Sequence, residues 1–113
     1  MFAAITGWIV VALHVVFGLM ETVGWTAMAR RFGYDERATE ITRSLALNQG
    51  AYNIGLAAVL AWALATGEQR AVVAMLAYVV AMGIVGAASV RWTIFVLQGV
   101  PALLALAAAL LSK

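Results

Sequence analysis

The chain has 113 residues, 65% of them hydrophobic and 11% charged, with a mean hydropathy of +1.00 and a net charge of +2. Soluble domains average about 45–50% apolar and about 25% charged residues, so this composition argues against a water-soluble globular enzyme. The charge is too small to serve nucleic acid, and the absence of cysteine removes disulfides, thiolate metal sites and thiol catalysis.

A helix needs ~20 apolar residues to cross a bilayer, so four crossings take ~80 residues and leave ~33 for connections. The chain therefore reads as all-α: a polytopic membrane protein with four transmembrane helices packed as a bundle, one domain over residues 1–113. The first span covers about 2–28. It opens on Met1-Phe2-Ala3-Ala4-Ile5, without the positive charge that starts a signal peptide, and is expected to be retained. A charged loop, 29–43, follows with Arg30, Arg31, Asp35, Glu36, Arg37, Glu40 and Arg43. The second span covers about 44–65, and the helix-forming composition of Asp35–Arg43 favours an earlier start for that helix. A short turn, 66–70, leads to a third span at 71–90, and Arg91 separates it from a fourth at 92–111.

Orientation follows from the basic residues near the span ends. The first loop and Arg91 hold five of the seven Lys and Arg, and Arg70 and Lys113 fall on the opposite side. The loop is expected in the cytoplasm and both termini outside. Trp25 and Trp92 then fall near the cytoplasmic boundary and Trp8 and Trp62 near the outer one, where indole rings prefer to sit. Gly83, Gly86 and Ala87 form a small-residue patch, expected to serve close packing inside the chain rather than a dimer contact.

The informative residues are the polar ones a plain anchor has no need of: His14 and Glu21 in the first span, Asn48, Gln49, Tyr52 and Asn53 in the second, and Gln98 in the fourth. His14 and Glu21 lie two turns apart on nearly one face, with Gly18 and Trp25 on the same stripe. Asn48 and Tyr52 share a face of the second helix, as do Gln49 and Asn53. At 1.5 Å per residue, Glu21, Asn48, Gln49 and Gln98 lie ~8–10 Å from the cytoplasmic end of their spans, Asn53 ~15 Å and His14 ~20 Å. Groups from three helices at similar depths suit a shared polar pocket. Pro101 has no amide hydrogen, which leaves the Leu97 carbonyl beside Gln98 in need of another donor.

Insertion of a carboxylate at mid-helix costs about 2.5–3.5 kcal/mol or more, against ~0.6 kcal/mol gained by an average interhelical hydrogen bond. Packing alone is a poor return for that cost, and Glu21 is the strongest functional candidate. Its structural alternative is an ion pair with Arg91 or Arg43. Low dielectric disfavours charge, which makes Glu21 a candidate for proton coupling. One histidine and no cysteine are too few ligands for zinc, and no cofactor motif or catalytic constellation stands in the chain.

The string Ala46-Leu47-Asn48-Gln49-Gly50-Ala51-Tyr52-Asn53, with Gln98-Gly99-Val100-Pro101 and the His14, Glu21 and Trp25 spacing, resembles the small membrane proteins of domain of unknown function 1304. The segment Gly83-Ile84-Val85-Gly86-Ala87 fits as well, and the resemblance runs over nearly the whole chain. Three positions depart from the pattern: Leu13 stands where members often carry glutamate, Gly55 where phenylalanine is usual, and Val85 where tyrosine is usual. No role for a Glu–His couple carries over, because Leu13 interrupts it. The resemblance implies a four-helix protein of the bacterial cytoplasmic membrane and no set activity.

The leading expectation is a polar pocket that binds or moves a small molecule, with Glu21 and His14 as the titratable groups. Asn48, Gln49, Asn53 and Gln98 would donate and accept hydrogen bonds, and Tyr52, Gly18, Trp25 and Pro101 would form the walls. The expected partners are the lipid bilayer, a small-molecule ligand and, because four helices enclose a narrow path, a second copy in a homodimer. Three other readings compete: a small multidrug-type exporter, against which the five-to-two charge bias speaks; a membrane enzyme acting on an apolar substrate; and a partner subunit whose polar stripe holds helices together.

Overall fold

The computed structural model describes residues 1–112, and the outward position expected for Lys113 lies outside the described residues. The chain is all-α, with no strand among the described residues. In order come α1 (Phe2–Glu21), α2 (Trp25–Arg31), α3 (Glu36–Thr66), α4 (Gln69–Ser89), a π-helical segment (Phe95–Gly99) and α5 (Val100–Leu111).

The first apolar stretch is not one helix to residue 28. Thr22 and Val23 are β-branched and Gly24 favours helix least among them. The Thr22 N–H and hydroxyl both donate to the Gly18 carbonyl, at 3.0 and 2.7 Å, and the Gly24 N–H reaches five residues back to Leu19 at 2.9 Å. Helix resumes at Trp25, so most of the expected charged loop, 29–43, is helical. Arg30 and Arg31 close α2 where the helix dipole favours cations. Asp35 then starts α3, its Oδ1 accepting the Ala38 N–H at 2.7 Å. α3 thus begins eight residues before the expected membrane entry at Ser44 and ends on Gly67, whose φ of 72° suits a left-handed cap.

The fourth stretch is also interrupted. Pro101 cannot donate to Leu97. The backbone widens instead, and the Val100 N–H bonds to the Phe95 carbonyl five residues back. One wide turn absorbs the missing donor and places Gln98 within it.

α1 packs against α3 and α5, and α4 packs against α5, the π segment and α3. α1 and α3 run antiparallel, with Gly7 beside Leu64 and Gly18 beside Gly50 and Ile54. A Cβ on Gly50 would stand 2.8 Å from the Gly18 carbonyl oxygen, so these backbones touch. A Cβ on Gly83 would stand 2.9 Å from both Cα and N of Gly99, and Gly86 faces Ile94. The small-residue patch therefore packs inside the chain. The apolar core is formed by Val10, Leu60, Val72, Leu76, Ala105 and their neighbours, toward the end where α1 begins. Trp25, Ala29 and Ala46 form a second cluster at the other end.

Two helices, α1 and α4, are long and apolar enough to cross a membrane. α3 is longer, but Asn48, Gln49 and Asn53 interrupt its apolar run, and the last apolar helix, Phe95–Leu111, is short. Trp8, Trp62 and Trp92 are exposed, as an aromatic belt requires. Trp25 departs from that expectation: it is buried, its indole N–H donates to Thr42 Oγ1 at 3.1 Å, and Phe32 and Tyr34 stand edge-on to it.

Candidate functional site: two amide-held titratable groups

α1 carries two titratable side chains, and each is met by an amide from a different element. Glu21, at the last turn of α1, accepts a hydrogen bond from Asn53 Nδ2 of α3 at 2.5 Å. Close approach of Gly18 to Gly50 brings the two helices near enough for these short side chains to meet. Thr22 closes the end of α1 against the same glycine, its methyl lying where a Gly50 Cβ would go.

His14 is 1% exposed and lies two turns earlier. Its Nδ1 is 2.8 Å from the Val10 carbonyl, which only accepts, so Nδ1 carries the proton and donates. Its Nε2 is 3.1 Å from Gln98 Nε2 in the π segment, and in the neutral ring Nε2 accepts the amide N–H. The hydrogen-bond pattern thus matches a neutral imidazole with one defined tautomer. The His14 ring also stands edge-on to Phe17, centroids 5.4 Å apart.

The alternative for Glu21, an ion pair with Arg91 or Arg43, does not form. Arg43 bonds Glu40 through Nη2 at 2.8 Å and Nε at 3.1 Å, and reaches Thr26 Oγ1 at 2.9 Å. Those bonds from Arg43 hold the exposed Glu40 carboxyl below its ordinary range. Glu21 is left with a neutral amide as its partner.

The other expected members sit elsewhere. Asn48, Gln49 and Tyr52 are exposed on the outer side of α3, Tyr52 at 69%, and none has a side-chain hydrogen-bond partner among the described residues. Gly50, Asn53, Ala57 and Leu60 form the buried stripe, and that choice of face turns the other polar residues outward. Gly18 is at the contact as expected, but as a backbone neighbour of Gly50. Pro101 shapes the π segment rather than lining a space, and Trp25 belongs to the end cluster. Sequence reasoning passed over Gly50, Thr22, Thr42 and Gly99. Gly50 carried a usable signal, three residues before Asn53 and seven before Ala57.

Surface grooves lie along Met1, Ile5 and Trp8, and beside Gln69, Arg70 and Leu110, away from both pairs. Every buried side-chain nitrogen and oxygen among the described residues has a hydrogen-bond partner. No group of three His, Cys, Asp or Glu suited to a metal ion occurs among them.

An amide offers both N–H donors and a C=O acceptor. Asn53 can donate to a carboxylate or, turned over, accept from a carboxylic acid. Gln98 can donate to neutral Nε2 or accept from a protonated one. Each pair can therefore keep a hydrogen bond in either charge state.

A family described as "Protein of unknown function (DUF1304)" matches residues 8–110 of the chain. No curated protein and no solved structure matches it.

Proposed function

Since the chain belongs to that family, whose description sets no activity, we propose that it is a four-pass protein of the bacterial cytoplasmic membrane that binds or moves a small molecule with proton exchange at Glu21. In this reading α1, α3, α4 and the π segment with α5 are the four spans and pack as a bundle. The charged segment between α1 and α3, with Arg91, faces the cytoplasm. The observation that carries the proposal is the partner of Glu21: a neutral amide from α3 and no cation. A carboxylate in a low-dielectric setting without a counter-charge favours uptake of a proton or of a cationic ligand. His14 and Gln98 form a second exchangeable pair in the widened turn, and π-helical turns recur where helices carry function.

Labelling with a hydrophobic carbodiimide, which attacks protonated carboxyl groups in lipid, tests this directly. The expected result is modification of Glu21 in native membranes, faster at lower pH, and none at this position in Glu21→Gln. A wild-type chain that resists the reagent across the accessible pH range contradicts proton exchange. A second reading, a subunit whose polar pairs only lock helices together, is favoured by the complete pairing of buried polar atoms. It expects Glu21→Gln and Asn53→Leu to leave the cellular phenotype unchanged while the chain still inserts.

A further inference from the structure

The residues left outside the two pairs point to a partner. Asn48 and Tyr52 lie on the outer side of α3, exposed and without side-chain hydrogen-bond partners among the described residues. Counted from Arg43, they stand ~8 and ~14 Å along the helix from the membrane entry. Lipid tails offer such groups no hydrogen bond, so polar side chains in spans turn toward protein or water.

The glycines supply an independent observation. Of the ten in the chain, Gly7, Gly18, Gly24, Gly50, Gly83, Gly86 and Gly99 stand against neighbouring atoms, and Gly33 and Gly67 have positive φ. Gly55 has neither: a Cβ there would meet nothing within 4 Å, and the residue is exposed in mid-helix. Glycine in a helix interior weakens it relative to alanine. Among the described residues nothing uses the space that Gly55 leaves open. Asn48, Ala51 and Gly55 follow each other at intervals of three and four, on one side of α3.

We propose that this side of α3 is the contact face for a second copy of the chain, with the two α3 helices crossing at Gly55 and their Asn48 amides bonding each other. The inference rests on the membrane-spanning reading of α3 given above. A second copy suits this face because an amide is self-complementary, carrying both donor and acceptor. Two copies inserted in the same direction meet across a two-fold axis along the membrane normal, which brings Asn48 opposite Asn48 and Gly55 opposite Gly55. Absence of a Cβ at the crossing lets the backbones close, as small residues do at contacts in lipid.

The chain has no cysteine, so single cysteines report proximity cleanly. Ala51→Cys and Gly55→Cys are placed on the proposed face, and Ile84→Cys, exposed on α4, serves as reference. Membranes carrying each variant are oxidised with copper phenanthroline and washed with alkaline carbonate. The expected result is a disulfide-linked dimer at Ala51→Cys and Gly55→Cys several-fold more abundant than at Ile84→Cys, with all three chains resisting carbonate. Ala51→Cys keeps the test open if cysteine at the crossing disturbs the contact. Chains that resist carbonate but cross-link no more than the Ile84→Cys reference overturn the dimer face alone. Chains that carbonate extracts overturn the membrane reading and the dimer face together.

Discussion

Asn53 and Gln98 do the same work at two depths: each is the uncharged partner of a titratable group on α1. Removing either leaves that group in place without its hydrogen bond. The cost is then set by the abandoned group, about 1–3 kcal/mol, rather than by the ~0.6 kcal/mol of an average interhelical bond. His14 is the more deeply buried of the two. Gln98→Leu is therefore expected to destabilise toward the upper end of that range and Asn53→Leu toward the lower, measured by unfolding in detergent micelles. Equal and negligible effects would mean that the pairs are incidental. Residue type singled out Glu21, His14, Asn53 and Gln98 in the sequence, but depth did not pair them: Gln98, reckoned level with Glu21, meets the deeper His14, and Glu21 meets Asn53. The rotation of α3 was not legible either. Asn48, Gln49, Tyr52 and Asn53 cover two neighbouring faces, and spacing alone does not say which turns inward. The close approach of Gly50 to Gly18 decides it, a contact between backbones that hydropathy does not register.

At the scale of elements, two interruptions shape the molecule, and both arise from local chemistry. The Thr22-Val23-Gly24 run ends α1 just after Glu21, and Pro101 widens the turn that holds Gln98. The proline was visible in the sequence as a lost donor at Leu97. Its resolution by a π turn was not, because the choice of a new acceptor depends on α4 pressing Gly83 against Gly99. Pro101→Ala restores the donor and is expected to let the segment return toward α-helix, turning Gln98 by a large part of a turn away from His14. The His14 ring nitrogen shifts in NMR spectra would report the loss of the Nε2 bond, and unchanged shifts would refute that account of the π segment. The glycine contacts make a second expectation. Gly50→Ala adds a Cβ 2.8 Å from a backbone oxygen and cannot be relieved by a side-chain rotation. It is expected to destabilise by about 1–3 kcal/mol in the same unfolding measurement.

At the scale of the molecule, the all-α class expected from composition is what the chain shows, in five α-helices and a π segment where four rods were expected. The long dimension of 50 Å exceeds the ~30 Å of a hydrocarbon core. α3, at 31 residues and ~46 Å, accounts for much of the excess through its charged first turns, Glu36–Arg43. Helix boundaries at those turns were hard to place from sequence because charge marks the membrane edge, whereas Asp35 marks the helix start. If all four rods cross, the beginning of α1 and the end of α5 lie on one side. Reporter fusions before Phe2 and after Ser112 are expected to read as outside, and one inserted after Gly33 as cytoplasmic. Opposite readings at the two ends would rule out an even number of crossings.

The account stands on the bond that joins α1 to α3. Solid-state NMR recoupling between the Glu21 side-chain carboxyl carbon and the Asn53 side-chain nitrogen, in the protein reconstituted into bilayers, measures it most directly. The expected result is a coupling at hydrogen-bond range that disappears in Asn53→Leu. No coupling in a folded, inserted wild-type chain would contradict the account.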